Sequence, residues 1–414
     1  MKTLSLFLSI ALLGLSPQSC TNTPVEDGPG DTIELTKKSQ QLIEGDNTFG
    51  LELFKTVNAS LEEDKNLMLS PLSISLALAM TYNGAEGNTK SQMEEALHKA
   101  VFSTQEINNA YQQLVAALKS HDSKVDLSIA NAIFHRDDFQ VNSNFISTNQ
   151  EYYQAEVEAL NFNAAEASKK QVNEWVNDQT RNKIEKIIDS ISPNDVMYLL
   201  NAIYFNGEWT YRFNKDQTEN RTFYTENGNE LQVLSMMLEE MPLNYASTEQ
   251  FELLELPYGK EKYSMLIFLP NKNHSTNEVI AGLGSAGLNE LLGNLHQRNL
   301  KVYLSKFEFA FETSLTDPLK TLGMTDAFSP MLADFSGISN RSDLFLSEVK
   351  HKSYIKVDEK GTEAAAVTSV TVGVTSIGAE PVFNVNRPFV FAIREKDTNT
   401  LLFLGKVNNP LRHE

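Results

Sequence analysis

Residues 357–374 constrain the fold more than any other stretch, because their composition suits both a loop and a strand. The first half is small and flexible, with Gly361 followed by three alanines at 364–366. The second half, residues 367–372, is Val and Thr broken only by Ser369, a composition that favours a pleated strand. A segment that can be an exposed loop in one state and a sheet strand in another is what a conformational trap requires. The simpler alternative is an ordinary linker or a permanent strand near the C-terminus.

The alternation of side chains is compatible with a strand that enters a packed interior. Successive side chains of a strand point to opposite faces of the sheet. One face carries only small or apolar side chains, those of Thr362, Ala364, Ala366, Thr368, Val370 and Val372. The opposite face begins with Glu363 and is more polar at its start.

Several sequence blocks around this segment resemble the serpins, a family of metastable serine-protease inhibitors. Residues 358–366, DEKGTEAAA, resemble the hinge motif at the base of the family's reactive loop. His351 lies eight residues before Glu359, where the family keeps a sheet-opening histidine. Further resembling blocks follow in family order at residues 66–80, 200–209, 386–391 and 403–410.

The resemblance covers roughly residues 37–414 and implies one α+β domain, where a length of 414 residues alone would suggest two or three. The expected fold has a large central, mostly antiparallel sheet, further sheets, eight or nine helices and an exposed reactive loop at about residues 359–381. Apolar patterning predicts helices over residues 39–61, 73–82, 91–97, 106–119 and 165–188. It predicts strands over residues 124–135, 196–205, 253–256, 264–269 and 300–311.

The N-terminus has the pattern of an export signal. Lys2 precedes an apolar run at residues 4–15, too short for the roughly 20 residues that span a bilayer, so residues 1–19 are predicted to be a signal peptide. The single cysteine, Cys20, cannot form an internal disulfide and resembles the lipidated cysteine of a bacterial lipoprotein. Residues 20–36 are then predicted to form a flexible tether. We expect export and lipid anchoring in a bacterial envelope; the alternative is ordinary signal-peptide cleavage and secretion, with Cys20 incidental.

Composition and motifs argue against other classes of protein. Acidic residues outnumber basic ones, 54 to 35, which argues against a nucleic-acid surface. The seven histidines show no metal-ligand spacing, so neither metal nor cofactor is expected. Residues 282–287 match the dinucleotide-binding fingerprint as a string, but they follow a helix start rather than a strand. His351 could be a catalytic base, yet beside a buried strand a structural role is favoured, and we expect no enzyme activity.

The resemblance implies a mechanism. A target serine protease attacks one loop bond and forms an acyl-enzyme. The cleaved loop then inserts as a new strand, and about 17 residues at roughly 3.3 Å each reach about 56 Å, enough to drag the protease across the domain. We expect a monomer that contacts membranes only through its lipid anchor. The alternative is a non-inhibitory serpin acting as a binding or structural protein.

The resemblance also assigns roles to individual residues. Insertion requires a small hinge, formed by Glu359, Gly361, Thr362, Glu363, Ala364, Ala365 and Ala366. A group of residues matches the family's sheet-opening machinery, namely Ser70, Ser73, Asn201, His351 and Trp209. The first four are expected to form a hydrogen-bond network below the sheet, and Trp209 with Glu359 matches the region where insertion begins. Glu359 is expected to pair with a cation, such as a lysine that the sequence does not identify.

The cleaved bond is predicted within a short uncharged stretch. Seventeen residues counted from Glu359 end at Thr375, which gives Thr375–Ser376 as the bond, whereas counting back from residues 386–389 gives Ile377. Val372 and Val374 are further alternatives. No Arg or Lys lies between residues 363 and 380, which argues against trypsin-like targets. An elastase-like protease is favoured, with subtilisin-like and cysteine proteases as alternatives.

Overall fold

The computed structural model describes residues 32–62, 64–192, 194–341, 343–362 and 381–413, which form nine α-helices and fifteen strands. The helices are α1 (Lys37–Ser60), α2 (Pro71–Tyr82), α3 (Gly87–Ala96), α4 (Thr104–Ser120), α5 (Ser143–Tyr153), α6 (Ala165–Gln179), α7 (Thr276–Gly282), α8 (Ser285–Gly293) and α9 (Thr316–Thr321). The strands are β1 (Leu67–Leu69), β2 (Val125–Arg136), β3 (Glu156–Leu160), β4 (Met197–Glu208), β5 (Glu219–Tyr224), β6 (Glu230–Ser247), β7 (Phe251–Tyr258), β8 (Tyr263–Pro270), β9 (His296–Ser305), β10 (Phe307–Ser314), β11 (Lys350–Asp358), β12 (Gly361–Thr362), β13 (Val382–Val385), β14 (Phe389–Glu395) and β15 (Leu401–Val407).

A six-stranded sheet carries the hinge. Its strand order is β10-β11-β12-β4-β2-β3, and every pair is antiparallel except β2 and β3. The longest ladder joins β2 to β4, from Val125 opposite Gly207 to His135 opposite Met197. This ladder fixes β4 firmly on one side, so any rearrangement within the sheet falls on its other side.

A nine-stranded sheet supplies a large share of the core. Its main order is β1-β15-β14-β8-β7-β6-β9-β13, with β5 paired to β6. Every residue of β8, β14 and β15 is buried, as expected for short continuous apolar runs. The large sheet, the further sheet and the nine helices confirm the predicted α+β architecture.

Helix α2 packs against both β4 and β15. Its start follows from local chemistry, because the Ser70 side chain accepts a hydrogen bond from the Ser73 amide and Pro71 occupies the first turn. Its many Ser and Ala residues are small, and all but one of its residues are buried. The helix therefore packs closely against β4, which lies beside the hinge, and against β15 of the nine-stranded sheet.

One predicted helix is wrong in its extent. The helix expected over residues 165–188 ends at Gln179, because Arg181 and Asn182 adopt positive φ angles of 53° and 63°. The Asn173 side chain then accepts hydrogen bonds from the amides of residues 187 and 188, which holds the following segment in an irregular conformation. In the described part of the chain, no helix is both long and apolar enough to cross a membrane.

Candidate functional site

The hinge begins inside the six-stranded sheet. After a turn at Glu359 and Lys360, β12 lies between β11 and β4, with Thr362 opposite Val357 on one side and Gly207 on the other. Thr362 is buried, and its Oγ1 lies 2.6 Å from the hydroxyl of Tyr258. The first hinge residues are therefore already part of the sheet.

Gly361 occupies a position that excludes a side chain. A Cβ built there would lie 2.1 Å from the carbonyl oxygen of Gly207 and 2.8 Å from the Cα of Glu208. Contacts that short with backbone atoms cannot be relieved by rotating a side chain. The close approach of β12 to β4 thus depends on glycine at this position.

Glu359 forms an ion pair with Lys306. The Lys306 ammonium lies 2.8 and 3.1 Å from the two carboxylate oxygens of Glu359, and the Thr218 hydroxyl donates a hydrogen bond of 2.8 Å to Oε1. Burial alone would raise the pKa of Glu359, but the hydrogen bonds from Lys306, the backbone and Thr218 outweigh it and hold the pKa below its usual value. Sequence reasoning expected a cation here without naming it, since Lys306 lies 53 residues away in the chain.

Trp209 lies at the hinge and not beside Ser70 and His351. Its indole Nε1 donates a hydrogen bond of 2.9 Å to the Asp358 carbonyl, and its amide donates one of 2.8 Å to the Lys360 carbonyl. The indole stacks on Tyr258 with ring centroids 4.4 Å apart. These contacts agree with its predicted place, together with Glu359, in the region where insertion begins.

A polar cluster joins α2 to β11 and β15. The Ser70 amide donates to His351 Nε2 at 3.2 Å, and the Ser70 hydroxyl donates to the Leu402 carbonyl at 2.7 Å. The Ser73 amide donates to Ser70 Oγ at 3.3 Å. Burial lowers the pKa of His351 to about 4, so its ring is neutral at pH 7. Since Nε2 is occupied by a backbone amide, these contacts favour the structural role of His351 over that of a catalytic base.

Asn201 belongs to a second network. Its side-chain amide donates to Asn131 Oδ1 at 2.7 Å, and Asn131 in turn donates to the Tyr153 carbonyl at 2.7 Å. None of the hydrogen bonds described for Asn201 reaches Ser70 or His351. Asn201 Oδ1 is buried without a hydrogen-bond partner among the described residues. The four residues predicted to form one network are therefore divided between two.

A cleft of about 730 Å³ separates β4 from β11 at the ends of these strands that lie away from β12. Among the described residues no ladder joins these two strands, and β12 bridges them only at its two residues. The cleft is lined by one edge of β4, by α2 and by the chain leading into β11, including Ser73, Asn201 and His351. The two polar networks therefore meet the same cleft even though no described hydrogen bond joins them.

Several predicted site residues lie outside the described residues. These are Cys20, Glu363, Ala364, Ala365, Ala366, Val372, Val374, Thr375, Ser376 and Ile377.

The sequence did not indicate other residues that contact the hinge and the strands beside it, including Lys306, Thr218, Tyr258 and Asn131. It also missed the hydroxyl of Ser353, which bonds the Met68 carbonyl and ties β11 to β1. Each of these contacts joins distant parts of the chain, so no local pattern could have marked them.

Comparisons with known proteins agree with this geometry. A family model described as serpin (serine protease inhibitor) matches residues 44–410. A leukocyte elastase inhibitor of Xenopus tropicalis is 36% identical over 372 residues, covering 87% of this chain and 97% of the relative. The structure of tengpin, a thermophilic serpin, in its native state matches with a TM-score of 0.82 at 36% identity, covering 92% of this chain and 96% of tengpin.

Human thyroxine-binding globulin matches with a TM-score of 0.82 at 28% identity, covering 91% of this chain and all of that one, 100%. The matched family is one of protease inhibitors and not of catalytic enzymes, in agreement with the prediction that this chain is not an enzyme. With a family model over residues 44–410 and a relative 36% identical over nearly its whole length, the chain belongs to the serpin family.

Proposed function

We propose that this chain inhibits serine proteases by trapping them as acyl-enzymes while its cleaved loop inserts between β11 and β4. The observation that carries the proposal is the pairing of β12 above an open cleft. Gly361 and Thr362 already hydrogen-bond in the slot that the following residues would enter. The cleft beneath them is bordered by β4 residues 197–203 and β11 residues 350–352. A new strand there would gain ladder partners on both sides.

The energetic direction of insertion follows from these contacts. Edge peptide groups and apolar residues of β4 that border the cleft would become paired and buried when a strand fills it. The small residues at 364–366 would follow Thr362 with little steric cost. The uncleaved loop is held at both ends, because Pro381 and β13 continue directly into the nine-stranded sheet. Cleavage would release one end and allow the insertion to proceed.

The favoured target is an elastase-like protease with a shallow specificity pocket. Residues 364–379 contain no charged side chain, and the predicted bond is Thr375–Ser376, with bonds at Val372, Val374 or Ile377 as alternatives. The resemblance to a leukocyte elastase inhibitor supports this class of target. Subtilisin-like and cysteine proteases are the other candidates. Mass spectrometry of the chain after brief exposure to elastase would identify the bond.

Covalent trapping is tested by incubation with elastase and denaturing gel electrophoresis. We expect a covalent band at the summed mass of inhibitor and protease. The Thr362→Arg variant should yield only cleaved chain, because burying an arginine beside Tyr258 costs several kcal/mol, on the order of 2–7 for an unpaired polar group. Thr321→Arg places the same charge on an exposed position at the end of α9 and is the matched control. Full trapping by Thr362→Arg would refute the hinge argument.

A non-inhibitory binding protein is the second candidate function. Its support is the similarity to human thyroxine-binding globulin, whose name describes a binding protein. This alternative predicts cleavage without any covalent band, even when elastase is in excess. It also predicts that Thr362→Arg and the unmodified chain behave alike on the gel.

We further propose that the chain is exported and held in a bacterial envelope by a lipid on Cys20, with residues 1–19 as its signal peptide and residues 20–36 as its tether. The signal-like N-terminus and the lone cysteine support this proposal. Expression in a bacterium with labelled palmitate should give a labelled chain that partitions into detergent. Cys20→Ala should abolish the label, whereas Thr23→Ala should retain it. An unlabelled, secreted parent chain would favour ordinary signal-peptide cleavage.

A further inference from the structure

Three potential metal ligands meet where the end of α4 contacts the turn after β14. His121 follows α4, Glu395 ends β14, and Asp397 lies in the turn. His121 Nε2 is 3.1 Å from Glu395 Oε1 and 3.0 Å from Asp397 Oδ2. The side chains of His121 and Glu395 are almost fully buried, 3% and 0% exposed. Among the described residues this is the one group of three such side chains whose ligand atoms all lie within 4.8 Å of one another.

The Nε2 atom of His121 faces this group without making a hydrogen bond. His121 is about nine-tenths buried, with 8% of its surface exposed, and Nε2 has no hydrogen-bond partner among the described residues. Both carboxylate oxygens are close enough, so the lack of a bond reflects their direction relative to the ring. The exposed His98 differs, since its Nε2 makes a hydrogen bond of 2.9 Å to Glu52. A buried nitrogen placed between two off-axis oxygens is arranged as metal ligands are.

The carboxylate of Glu395 is held in a fixed orientation. Its Oε1 accepts the Asp397 amide at 2.6 Å, and its Oε2 accepts the amide and hydroxyl of Thr398 at 2.8 and 2.5 Å. Such partners orient metal ligands and raise affinity in known sites. The site therefore has one strongly positioned carboxylate, one buried imidazole and one carboxylate in the turn.

We propose that His121, Glu395 and Asp397 bind a divalent transition-metal ion, best matched by Zn²⁺. Imidazole nitrogen with carboxylate oxygens suits zinc, whereas Mg²⁺ and Ca²⁺ prefer oxygen ligands alone. Neighbouring ligands of a tetrahedral zinc at about 2.1 Å lie about 3.4 Å apart. The observed separations of 3.0 and 3.1 Å need to open by only a few tenths of an ångström. Three protein ligands leave a fourth position for water.

A lysine competes with the metal for one ligand. Lys262 Nζ lies 3.1 Å from Asp397 Oδ2, the same oxygen that faces His121 and that accepts the amide of Ile33 at 3.1 Å. Tyr263 contacts the ring of His121 edge-on, 6.1 Å between centroids, and supplies no ligand atom to the group. A bound metal would therefore displace the Lys262 ammonium from Asp397. Removing Lys262 should strengthen metal binding, a gain that misfolding could not produce.

The test is zinc titration of the metal-stripped full chain in competition with a chromophoric chelator, together with the thermal midpoint. We expect one tight site and a midpoint that rises with Zn²⁺. His121→Ala should weaken binding by at least about 100-fold, because loss of an outer-shell partner alone costs about 10–100-fold. Asp397→Asn should weaken it as well, and Lys262→Met should tighten it by about tenfold, comparable to an outer-shell change.

His98→Ala is the matched control, because it removes a histidine that also faces a carboxylate but is exposed and hydrogen-bonded. Its zinc affinity should equal that of the parent chain. Equal zinc affinity in the parent and His121→Ala chains would overturn the proposal. An unchanged affinity in Lys262→Met, or displacement of Zn²⁺ by millimolar Mg²⁺, would also contradict it.

Discussion

His351 couples stability to pH through its burial. Its Nε2 accepts the Ser70 amide, and burial lowers its pKa to about 4 from about 6.5 in the unfolded chain. Because the folded pKa is the lower one, its contribution is complete above pH 6.5 and is lost as the pH falls through 4. The full effect has an upper bound of about 3 kcal/mol.

We expect His351→Gln to reduce the acid sensitivity of the chain between pH 6.5 and 4. Glutamine can still accept the Ser70 amide but does not titrate in this range. The measurement is the denaturant midpoint of each chain at several pH values. His296→Gln, at an exposed position, should leave the acid sensitivity unchanged. If His351→Gln destabilises equally at every pH, titration of His351 is not the cause.

The Lys306–Glu359 pair anchors the turn that leads into the hinge. Glu359 is 7% exposed and also accepts the Thr218 hydroxyl, so Lys306→Met leaves a mostly buried carboxylate with one charged partner fewer. We expect a loss of about 1.5–3 kcal/mol, the usual value of hydrogen bonds to charged groups. The same variant should expel the hinge more often, seen as faster hydrogen exchange at Gly361 and Thr362. Lys320→Met, at an exposed pair with Asp317, should change neither quantity.

Strand β12 exists because its first residue has no side chain. Gly361→Ala would bring a methyl group to 2.1 Å from the Gly207 carbonyl oxygen, so the hinge must separate from β4. We expect loss of amide protection at Thr362 and more cleavage per protease trapped, because insertion would begin from a detached hinge. Gly284→Ala is the control, since a Cβ there meets nothing within 4 Å. Unchanged protection at Thr362 would contradict this account.

Helices and strands with a clear apolar pattern could be predicted from the sequence. The residues at which they end could be predicted less well. Helix α2 was predicted from its apolar run, and the structure adds its Ser70 cap and Pro71. The predicted helix over residues 165–188 was too long because its apolar pattern continues after Gln179. Ile184 and Ile188 are buried, but the Asn173 side chain accepts a hydrogen bond from the Ile188 amide and holds this stretch in an irregular conformation. Periodicity reports which residues are buried and does not reveal such a bond.

At the scale of the whole molecule, the functional site also has a part that could be predicted from the sequence and a part that could not. The hinge is contiguous, so residues 358–366 could be recognised directly, whereas the contacts that hold it could not. Tyr258 lies 104 residues from Thr362, and Asn131 lies 70 residues from Asn201. The group around His121 joins α4 to a turn more than 270 residues later. Spacing along the chain therefore predicted no metal site, because folding and not proximity in sequence assembles its ligands.

On the proposed mechanism, the whole molecule should become more stable when the cleaved loop fills the slot between β4 and β11. If the cleaved loop inserts between β4 and β11, about ten new ladder hydrogen bonds at 0.5–1.5 kcal/mol each, with the apolar burial they bring, stabilise it by about 10 kcal/mol or more. For a chain of this size the melting temperature should rise by at least about 10 °C after loop cleavage. Calorimetry before and after limited elastase digestion measures this rise. Thr362→Arg, cleaved in the same way, should show little increase, because its hinge resists entry beside Tyr258. An unchanged midpoint in the cleaved parent chain would mean that the loop does not insert.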